Sequence, residues 1–386
     1  MTTHHIIGID LGTNSMKLVV CELSDQAPKI LHAVEVPSGG LRHGYVVDFD
    51  KAVSALATLI TKAEREYKQR ITKVRLSIGG IGLASQYVRT SIDVTSRTNE
   101  LTDKNVDEVL EKAENLFTAK YPNKKILHVV PVKYRVDGKD VLGTPSGMYG
   151  TSLEAKVVFI TVLEHHYDAL VNLVEGQGLT VNEAIAAPIA DAATATTYKQ
   201  QTQGCLITNV GAETTTLSTF ENGIITSLDV VSIGSNDVTN DIALGLQVPL
   251  EEAEAIKRGT NSNHPKRRVE EIIGARCADV VELAENHLFK IKKNRLLPAG
   301  VAFTGGGSSM DGLEDLARHQ LKLPAATVSM SRPSRKSKRT VTVPNQFSVA
   351  YGLCISDHGN RRFSQGGISM RRIRQSIAYW FNQLMP

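Results

Sequence analysis

One structural pattern occurs twice in this chain, with about 200 residues between the two copies. Residues 6–23 (IIGIDLGTNSMKLVVCEL) contain an apolar β-rich run, a Gly-Thr-Asn-Ser turn and a second apolar run, which predicts a β-hairpin. Residues 205–223 (CLITNVGAETTTLSTFENG) repeat this design and end in an Asn-Gly turn. The repeat indicates that a large domain was duplicated, so we expect two related domains around a shared cleft.

Length and composition exclude several classes of protein. The chain has 386 residues, of which 41% are hydrophobic and 22% charged, so a disordered or fibrous chain is excluded. At roughly 100–200 residues per domain, two to three domains are expected. The chain contains no apolar run long enough to span a membrane, and MTTHHIIGIDLGT lacks the features of a secretory signal. Its four cysteines form no CxxC pair, which favours a reducing cytosol over a zinc site or a disulfide framework.

Positive charge is concentrated at the C-terminal end. Residues 331–386 contain ten Lys/Arg and one acid, a charge of +9, whereas the rest of the chain contains 34 bases and 39 acids, a charge of −5. An acidic body with a basic tail is typical of a protein that approaches a polyanion, either a nucleic acid or an anionic membrane.

Hydrophobic spacing predicts the remaining elements. Helices are expected at 50–69, 102–117, 165–177, 188–199, 234–246, 249–258, 267–294 and 347–356. Strands are expected within 74–94 and at 126–136 and 154–162, so residues 75–162 form a small α+β unit. The run VAFTGGGSSMDGLEDLA (301–317) predicts a strand, a triple-glycine turn and a helix.

Three glycine-rich turns point to a phosphate ligand: DLGTNS (10–15), NVGAET (209–214) and GGG (305–307). A glycine turn between strands lets backbone N–H groups approach a phosphate. We expect Asp10 to hold Mg²⁺ through water, Lys17 to reach the phosphates, and the helix after the third turn to carry part of an adenosine site. Each turn taken alone is equally consistent with an ordinary β-turn. Neither a Walker A sequence nor a dinucleotide fingerprint occurs.

The order of these features resembles the superfamily of actin, sugar kinases and heat-shock chaperones. Its duplicated domains clamp ATP between two phosphate hairpins. In the string EAIKR, Glu254 and Lys257 resemble the chaperone pair that flanks the adenosine, although a solvated i,i+3 pair has the same spacing. The nucleotide-binding residues implied are Asp10, Gly12, Thr13, Asn14, Ser15, Lys17, Asn209, Gly211, Ala212, Glu213, Thr214, Gly234, Glu254, Lys257, Gly305, Gly306 and Gly307.

A narrower resemblance covers essentially the whole chain. The GxDLGT opening, SIGSNDVTNDIALGLQVPLEEAEAIKRG (232–259), TGGGSSMDGLEDLA and, between 75 and 162, VVPVKYRVDGKD and GTPSGMYGTSLEAKVVFITV resemble the bacterial cell-division family FtsA. This resemblance implies an α/β, actin-like fold of two duplicated ribonuclease-H-like domains. It also implies an ATP-binding protein that polymerises on the cytoplasmic face of the inner membrane, at the division site, and tethers FtsZ.

The resemblance also implies a domain organisation. The expected segments are 1–74 with 163–199 and 347–357 (first core domain), 75–162 (inserted subdomain, a contact for other division proteins), 200–240 with 300–346 (second core domain), 241–299 (its outer subdomain), 358–367 (linker) and 368–386 (amphipathic helix).

The last segment has its own signal. An apolar stripe at helical spacing consists of Met370, Ile373, Ile377, Trp380, Phe381 and Leu384, and Arg371, Arg372 and Arg374 lie off it. This is typical of a helix that lies in the plane of lipid headgroups; a helix packed on the protein body is the alternative. Because the stripe is continuous rather than a set of separate stacking positions, nucleic-acid binding is disfavoured.

Catalysis is expected to be weak. The resemblance places Asp at the start of the second turn, where this chain has Asn209, and Glu or Gln before the helix near 188, where it has Ala187. Because orienting water is a large part of such catalysis, we expect ATP·Mg²⁺ binding with slow or undetectable turnover. Glu213 is the alternative catalytic base.

Two alternative functions are a small-molecule kinase and a pilus adaptor, and the sequence also predicts one partner site. A small-molecule kinase of this fold needs an Asp base, and a PilM-like pilus adaptor does not end in such a helix. In the FtsA family the FtsZ tail contacts the outer subdomain. A basic site there is predicted at Lys290, Lys292, Lys293 and Arg295, although a solvated helix end has the same composition.

Overall fold

The structure is a computed structural model that describes residues 4–23, 28–95, 98–260, 265–328, 330–332 and 341–360. These residues form two compact units. The larger unit contains residues up to 86, 123–130 and 158–355, and the smaller one contains 87–122, 131–157 and the described residues from 356 onward. The linker predicted at 358–367 lies mostly, and the helix predicted at 368–386 entirely, outside the described residues.

The strands of the described residues follow in chain order. They are β1 (His4–Leu11), β2 (Ser15–Leu23), β3 (Lys29–Pro37), β4 (Leu41–Arg42), β5 (Tyr45–Val46), β6 (Lys73–Ile78), β7 (Ala84–Asp93), β8 (Lys124–Val136), β9 (Lys139–Val141), β10 (Ser152–Leu163), β11 (Thr180–Ala186), β12 (Cys205–Val210), β13 (Thr215–Glu221), β14 (Ile224–Val231), β15 (Val301–Thr304), β16 (Ala325–Thr327), β17 (Met330–Arg332) and β18 (Val341–Val343).

The helices of the described residues match most of the predicted ones. They are α1 (Phe49–Tyr67), α2 (Asp103–Lys120), α3 (Glu164–Glu175), α4 (Ala187–Ala195), α5 (Tyr198–Gln203), α6 (Ser235–Leu246), α7 (Leu250–Lys257), α8 (Lys266–Lys290), α9 (Leu313–Leu321) and α10 (Ser348–Asn360), with 3₁₀ turns at Gly306–Ser309 and Asn345–Phe347. No described helix has both the length and the apolar character needed to span a bilayer.

The first sheet of the larger unit has the strand order β3-β2-β1-β6-β11. β1, β2 and β3 are antiparallel neighbours, whereas β6 and β11 continue the sheet in the parallel sense. The first seven residues of β2 are all buried, as expected of a strand that has both faces covered. Residues 75–78, assigned from the sequence to the insertion, lie in β6 and therefore belong to this sheet.

The second sheet repeats the first. Its order is β14-β13-β12-β15-β16, with antiparallel pairing from β14 to β12 and parallel pairing onward to β16. The order and sense of the five strands are those of the first sheet, so the predicted duplication is confirmed. We call the part built on the first sheet the first lobe (4–78, 163–195 and 347–356), and that built on the second sheet the second lobe (205–327).

Helix α10 joins the first sheet to α4 through two very close backbone approaches. A Cβ atom on Gly8 would lie 2.4 Å from the carbonyl oxygen of Ala350, and one on Gly352 would lie 1.9 Å from that of Ala190. Glycine is required at both positions because any side chain would separate the helix from its neighbours. The hydrophobic side of α10, including the buried Cys354, packs against β2.

Three helices extend the second lobe beyond its sheet. The side chains that α6, α7 and α8 pack together include buried Val238, Ile242, Ala253 and Ile256. The predicted 267–294 helix ends four residues earlier than expected, at Lys290, and a loop with Lys292 at φ 59° follows.

The smaller unit combines a sheet of order β7-β10-β8-β9 with helix α2. Thr102 is the N-cap residue, and its backbone N–H donates to Oδ1 of Asn105 over 3.0 Å. One face of α2 is buried at helical spacing, including Val106, Ala113 and Phe117. These elements are the strand, helix and strands predicted for the α+β insertion.

Candidate functional site

The two hairpin turns have the same construction. Leu11 pairs with Met16 in the first hairpin, and Val210 pairs with Thr215 in the second, so each turn contains four residues. A Cβ atom on Gly12 would lie 2.7 Å from the carbonyl oxygen of Ser15, and one on Gly211 would lie 2.8 Å from that of Thr214. Both turns therefore need glycine for the same reason: the backbone folds back on itself three residues later.

Both turns line one large cavity of about 1400 Å³. Fifteen of the predicted nucleotide-binding residues line it: Asp10, Gly12, Thr13, Asn14, Ser15, Lys17, Asn209, Gly211, Ala212, Thr214, Glu254, Lys257, Gly305, Gly306 and Gly307. Glu213 and Gly234 do not. The fold thus brings together, at one cavity, residues from four separate parts of the sequence.

The first turn places a carboxylate and an ammonium side by side. Asp10 and Lys17 are cross-strand partners in β1 and β2. Oδ1 of Asp10 accepts a hydrogen bond from the Ser77 hydroxyl over 2.6 Å. Nζ of Lys17 donates to the carbonyl oxygen of Ser15 over 3.2 Å, and the residue is only 7% exposed. The cation is therefore held against the turn, where an anionic ligand would meet it.

The second turn has Asn209 where the first has Asp10. Nδ2 of Asn209 donates to Oδ2 of Asp191 over 2.8 Å, and the Thr304 hydroxyl donates to the same oxygen over 2.6 Å. Asp191 comes from α4 in the first lobe, so these bonds join the two lobes. Burial raises the pKa of the Asp191 carboxyl, while the nearby Ser348 hydroxyl and the hydrogen bonds from Thr304 and Asn209 act in the opposite direction.

Gly234 supports the second turn from behind. The first N–H groups of α6, those of Ser235 and Asn236, donate to the carbonyl oxygens of Gly211 and Ala212 over 2.9 and 2.8 Å. A Cβ atom on Gly234 would lie 2.3 Å from the Ala212 oxygen. The predicted binding role of Gly234 is therefore replaced by a positioning role, since its lack of a side chain allows α6 to contact the turn.

Glu213 contacts the loop between β4 and β5 rather than the cavity. Its Oε2 accepts a hydrogen bond from the backbone N–H of His43 over 2.7 Å, and its Oε1 lies 3.9 Å from Nε of Arg42. The next amide, that of Gly44, donates to Oγ1 of Thr13 over 3.3 Å. Residues 42–44 thus bind both turns. Because its carboxylate contacts this loop and does not line the cavity, Glu213 is not in position to act as the alternative catalytic base.

Glu254 and Lys257 form a polar network in the cavity wall. Nζ of Lys257 lies 2.6 Å from Oε2 of Glu254 and donates to Thr239 over 2.7 Å. Arg258 donates to Oε1 of Glu254 over 2.7 Å. Burial would raise the pKa of Glu254, but the hydrogen bonds from Lys257, Thr239 and Arg258 outweigh it and lower the pKa to about 2. Both residues line the cavity, so they are more than a solvated surface pair.

The triple-glycine turn also lines the cavity. Gly305 has φ 83°, and a Cβ atom there would lie 2.5 Å from both Oδ1 of Asn209 and the carbonyl oxygen of Val210. A 3₁₀ turn at Gly306–Ser309 follows, and α9 begins only at Leu313. The helix expected to carry part of the adenosine site is thus separated from the turn by the 3₁₀ segment, and Ser309, Met310 and Asp311, which precede α9, line the cavity.

Two groups of lining residues were missed from the sequence. One is Ser77, Gly79 and Gly80, at the end of β6. The sequence does contain a signal for this group. SIGG (77–80) covers the end of β6 and the turn after it, as TGGG (304–307) does for β15, and these strands are equivalent in the two sheets. The other group is apolar and consists of Ile256, Val269, Ile273 and Met310. Nothing in the sequence separates these four from ordinary core residues.

The predicted partner site is partly neutralised. Nζ of Lys290 lies 3.0 Å from Oδ2 of Asp229, and Nζ of Lys293 lies 2.7 Å from Oε1 of Glu221. Among the described residues, no ion pair involves Lys292 or Arg295. The predicted membrane-binding residues, Met370 to Leu384, lie outside the described part of the chain.

Solved structures confirm the fold. The protein resembles a chain of the PilM-PilN type IV pilus biogenesis complex with a TM-score of 0.67 at 19% identity, covering 92% of this chain and 98% of that one. It also resembles MreB5 of Spiroplasma citri bound to ADP with a TM-score of 0.55 at 13% identity, covering 95% and 99% of the two chains. The fold is therefore the actin-like one, with two duplicated lobes and an inserted domain.

Sequence comparisons define the family. A profile described as "Cell division protein FtsA" matches residues 206–352, and one described as "SHS2 domain inserted in FTSA" matches residues 80–161. Cell division protein FtsA of Bacillus subtilis is 28% identical over 82% of this chain and 76% of its own length. That of Pseudomonas aeruginosa is 28% identical over 94% and 90% of the two chains. Two FtsA profiles, which together match more than half of the chain, and similarity to FtsA proteins of several bacteria over most of its length lead to one conclusion: the chain belongs to the FtsA family of cell division proteins.

Proposed function

We propose that this actin-like division protein binds ATP with Mg²⁺, forms filaments on the cytoplasmic face of the cell membrane at the division site, and tethers FtsZ there. The observation that carries the nucleotide part is the pair of equivalent glycine turns lining one cavity, with Lys17 held against the first. The remaining parts extend the FtsA family assignment to partners and location.

The cavity lining has two chemically different parts, as ATP does. The Gly12 and Gly211 turns and Lys17 supply backbone N–H groups and a cation, which suits a triphosphate. Ile256, Val269, Ile273 and Met310 supply apolar surface, and Glu254 and Lys257 line the same cavity. An adenine ring fits such apolar surroundings, and the hydroxyls of its ribose fit the charged pair.

Mg²⁺ fits the residues beside the first turn. The described residues contain no cluster of three or more His, Cys, Asp or Glu that would hold a metal alone. Mg²⁺ bound to a nucleotide needs only one or two protein oxygens, because phosphates and water supply the rest. Asp10 would hold it through water, and the bound cation would neutralise phosphate charge.

We expect turnover to be slow. Ala187 lines the cavity as the first residue of α4, and its methyl group can neither accept nor donate a proton. Glu213 is held by His43, and Asn209 is committed to Asp191. ATP then acts as an assembly switch, and hydrolysis is secondary.

Membrane attachment is assigned to residues 368–386 after a linker at 358–367. The stripe of Met370, Ile373, Ile377, Trp380, Phe381 and Leu384 would lie among acyl chains, with Arg371, Arg372 and Arg374 near anionic headgroups. Each arginine contributes about 1 kcal/mol at such a surface. A single weak anchor becomes effective when many copies bind together in a filament.

The partners are assigned by segment. The outer subdomain, 241–299, takes the FtsZ tail, with Lys292 and Arg295 as the basic residues that have no ion pair among the described residues. The inserted subdomain, 75–162, contacts other division proteins. The two core domains supply most of the nucleotide cavity, and the outer subdomain adds Glu254, Ile256, Lys257, Val269 and Ile273. PilM resembles this chain in fold, but at 19% identity that likeness supports no adaptor role.

Three experiments test this function. Purified protein should bind ATP in the presence of Mg²⁺, as measured by calorimetry, and should form filaments on an anionic lipid monolayer in negative-stain micrographs. Deletion of 366–386 should abolish sedimentation with anionic vesicles and leave ATP binding unchanged. Protein that neither binds ATP nor sediments with vesicles would refute the proposal.

A further inference from the structure

The duplication predicts an arrangement that the second lobe does not have. Asp10 and Asn209 occupy equivalent positions in the two hairpins, and Ser77 and Thr304 occupy equivalent positions in the adjacent parallel strands. In the first lobe, the Ser77 hydroxyl donates to Asp10 over 2.6 Å. In the second lobe, the Thr304 hydroxyl donates over 2.6 Å to Asp191 instead of to residue 209.

The carboxylate that accepts the Thr304 hydrogen bond therefore comes from another element. Asp191 lies on α4, is 1% exposed and belongs to the first lobe. Its Oδ2 accepts from both Thr304 and Nδ2 of Asn209, the latter over 2.8 Å. An ionised carboxylate accepts hydrogen bonds and cannot donate them, and Thr304 and Asn209 both act as donors to it.

This contact determines which end of the Asn209 amide faces the cavity. The amide nitrogen is committed to Asp191, whereas no hydrogen bond from the described residues reaches the amide oxygen. Asn209 lines the cavity. Gly305 leaves room for that oxygen, since a Cβ atom there would lie 2.5 Å from it. The side chain therefore offers an oxygen to a ligand, as one half of a carboxylate would.

We propose that Asp191 is a positioning residue that holds the amide of Asn209 with its oxygen toward the cavity, so that Asn209 contacts the hydrated Mg²⁺ of the bound nucleotide. This inference rests on the proposed binding of ATP and Mg²⁺. Mg²⁺ takes oxygen ligands, and its bound waters donate hydrogen bonds to acceptor oxygens. A rotated amide would present N–H groups to the cation and its waters instead. The oxygens of Asp10 and Asn209 then face the cation from the two lobes.

The test compares ATP affinity with Mg²⁺ and in EDTA, by calorimetry, for the wild type and four variants. Asp191→Ala removes the acceptor and lets the amide rotate. Asp191→Asn keeps an acceptor oxygen without the charge. Asn209→Ala removes the amide outright. The double variant Asp191→Ala/Asn209→Asp carries a carboxylate at 209, which presents an oxygen whichever way it turns.

We expect Asp191→Ala and Asn209→Ala to reduce the strengthening of ATP binding by Mg²⁺ by about tenfold, as loss of an outer partner of a metal site does, and to change the affinity in EDTA much less. Asp191→Asn and the double variant should retain most of the strengthening. Equal weakening with Mg²⁺ and in EDTA, a full Mg²⁺ effect in Asn209→Ala, or no recovery in the double variant would overturn the role of Asp191. Wild-type protein that binds no ATP under either condition would instead refute the proposed function.

Discussion

The backbone N–H of His43 donates to Oε2 of Glu213 over 2.7 Å, although the two residues are 170 positions apart in sequence. His43 follows β4 in the first lobe, and Glu213 lies in the glycine turn of the second. The neighbouring Gly44 amide contacts Thr13 in the other turn. A short loop of the first lobe thus connects the two turns that line the cavity.

Loss of this contact should speed release of the nucleotide. In Glu213→Ala the His43 amide loses its charged acceptor, a contribution of about 1.5 kcal/mol, so ATP dissociation should become up to about tenfold faster. Glu213→Gln keeps an acceptor oxygen and should stay closer to the wild type. Stopped-flow release of a fluorescent ATP analogue measures the rate.

Arg42→Ala is the matched control. Arg42 is 68% exposed and lies 3.9 Å from Glu213, and exposed pairs of this kind contribute little. Its release rate should therefore equal that of the wild type. Equal rates for Glu213→Ala and Arg42→Ala would show that the loop does not retain the nucleotide.

The glycine turns should not tolerate a methyl group. Gly12→Ala places Cβ 2.7 Å from the Ser15 oxygen, and Gly211→Ala places it 2.8 Å from the Thr214 oxygen. These oxygens belong to the backbone, so the turns must distort, and ATP affinity should fall by about tenfold or more in each variant. Calorimetric titration with ATP·Mg²⁺ provides the measurement.

Gly274→Ala controls for the substitution itself. Gly274 lies within α8, and a Cβ atom there meets nothing within 4 Å. Alanine should stabilise the helix by about 0.5–1 kcal/mol without changing ATP affinity. Urea unfolding and calorimetry test the two statements separately; wild-type affinity in both turn variants would show that the turns do not bind phosphate.

Stability should fall in mild acid through His287. Its side chain is buried, and Nε2 lies 3.3 Å from Oγ1 of Thr219. Burial lowers the pKa of His287 from 6.5 to about 4, so the folded protein resists protonation that the unfolded chain accepts. This stability is complete above pH 6.5 and is lost as the pH falls towards 4, by up to about 3 kcal/mol.

Urea unfolding at pH 7 and pH 5 measures this effect. His287→Gln retains a hydrogen-bonding side chain without the titration, and its free energy of unfolding should change less between the two pH values. An imidazole that titrates near pH 6.5 in the folded protein, as followed by NMR, would contradict the expected burial effect.

Phosphate release should be slow in the wild type and faster in Ala187→Gln. Ala187 lines the cavity, and its Cβ lies 3.6 Å from where a Cβ of Gly79 would be. A glutamine amide there can orient water toward a phosphate, so release should rise by about tenfold or more. Ala326→Gln, at an exposed position on β16, should match the wild type. Brisk release by the wild type would refute the expectation of weak catalysis.

Much of the fold was predictable because its signals are local. Alternating and continuous apolar runs specified both hairpins, and glycine at 12 and 211 marked their turns. The boundary of the insertion was less accessible. Residues 75–78 have the composition of any strand, and only their pairing with β1 and β11 places them in the first sheet.

The errors at the site share one cause. Glu213 and Gly234 were predicted to bind nucleotide from their place in the sequence. In the structure, the Glu213 carboxylate accepts a hydrogen bond from His43, and Gly234 packs behind the second turn. Lys290 and Lys293 look like a free basic cluster, but strands β13 and β14 supply their acidic partners. In each case a partner distant in sequence decides the role.

The amino-acid sequence by itself determined the duplicated hairpins, their glycine turns and the carboxylate and lysine beside the first, because periodicity and backbone freedom act over a few residues. Only the tertiary structure decided that Asp191 contacts Asn209 beside the second turn, together with Thr304, which is 113 positions away from Asp191. Parallel strand pairing and the meeting of two lobes bring such residues together, and neither leaves a local mark in the sequence.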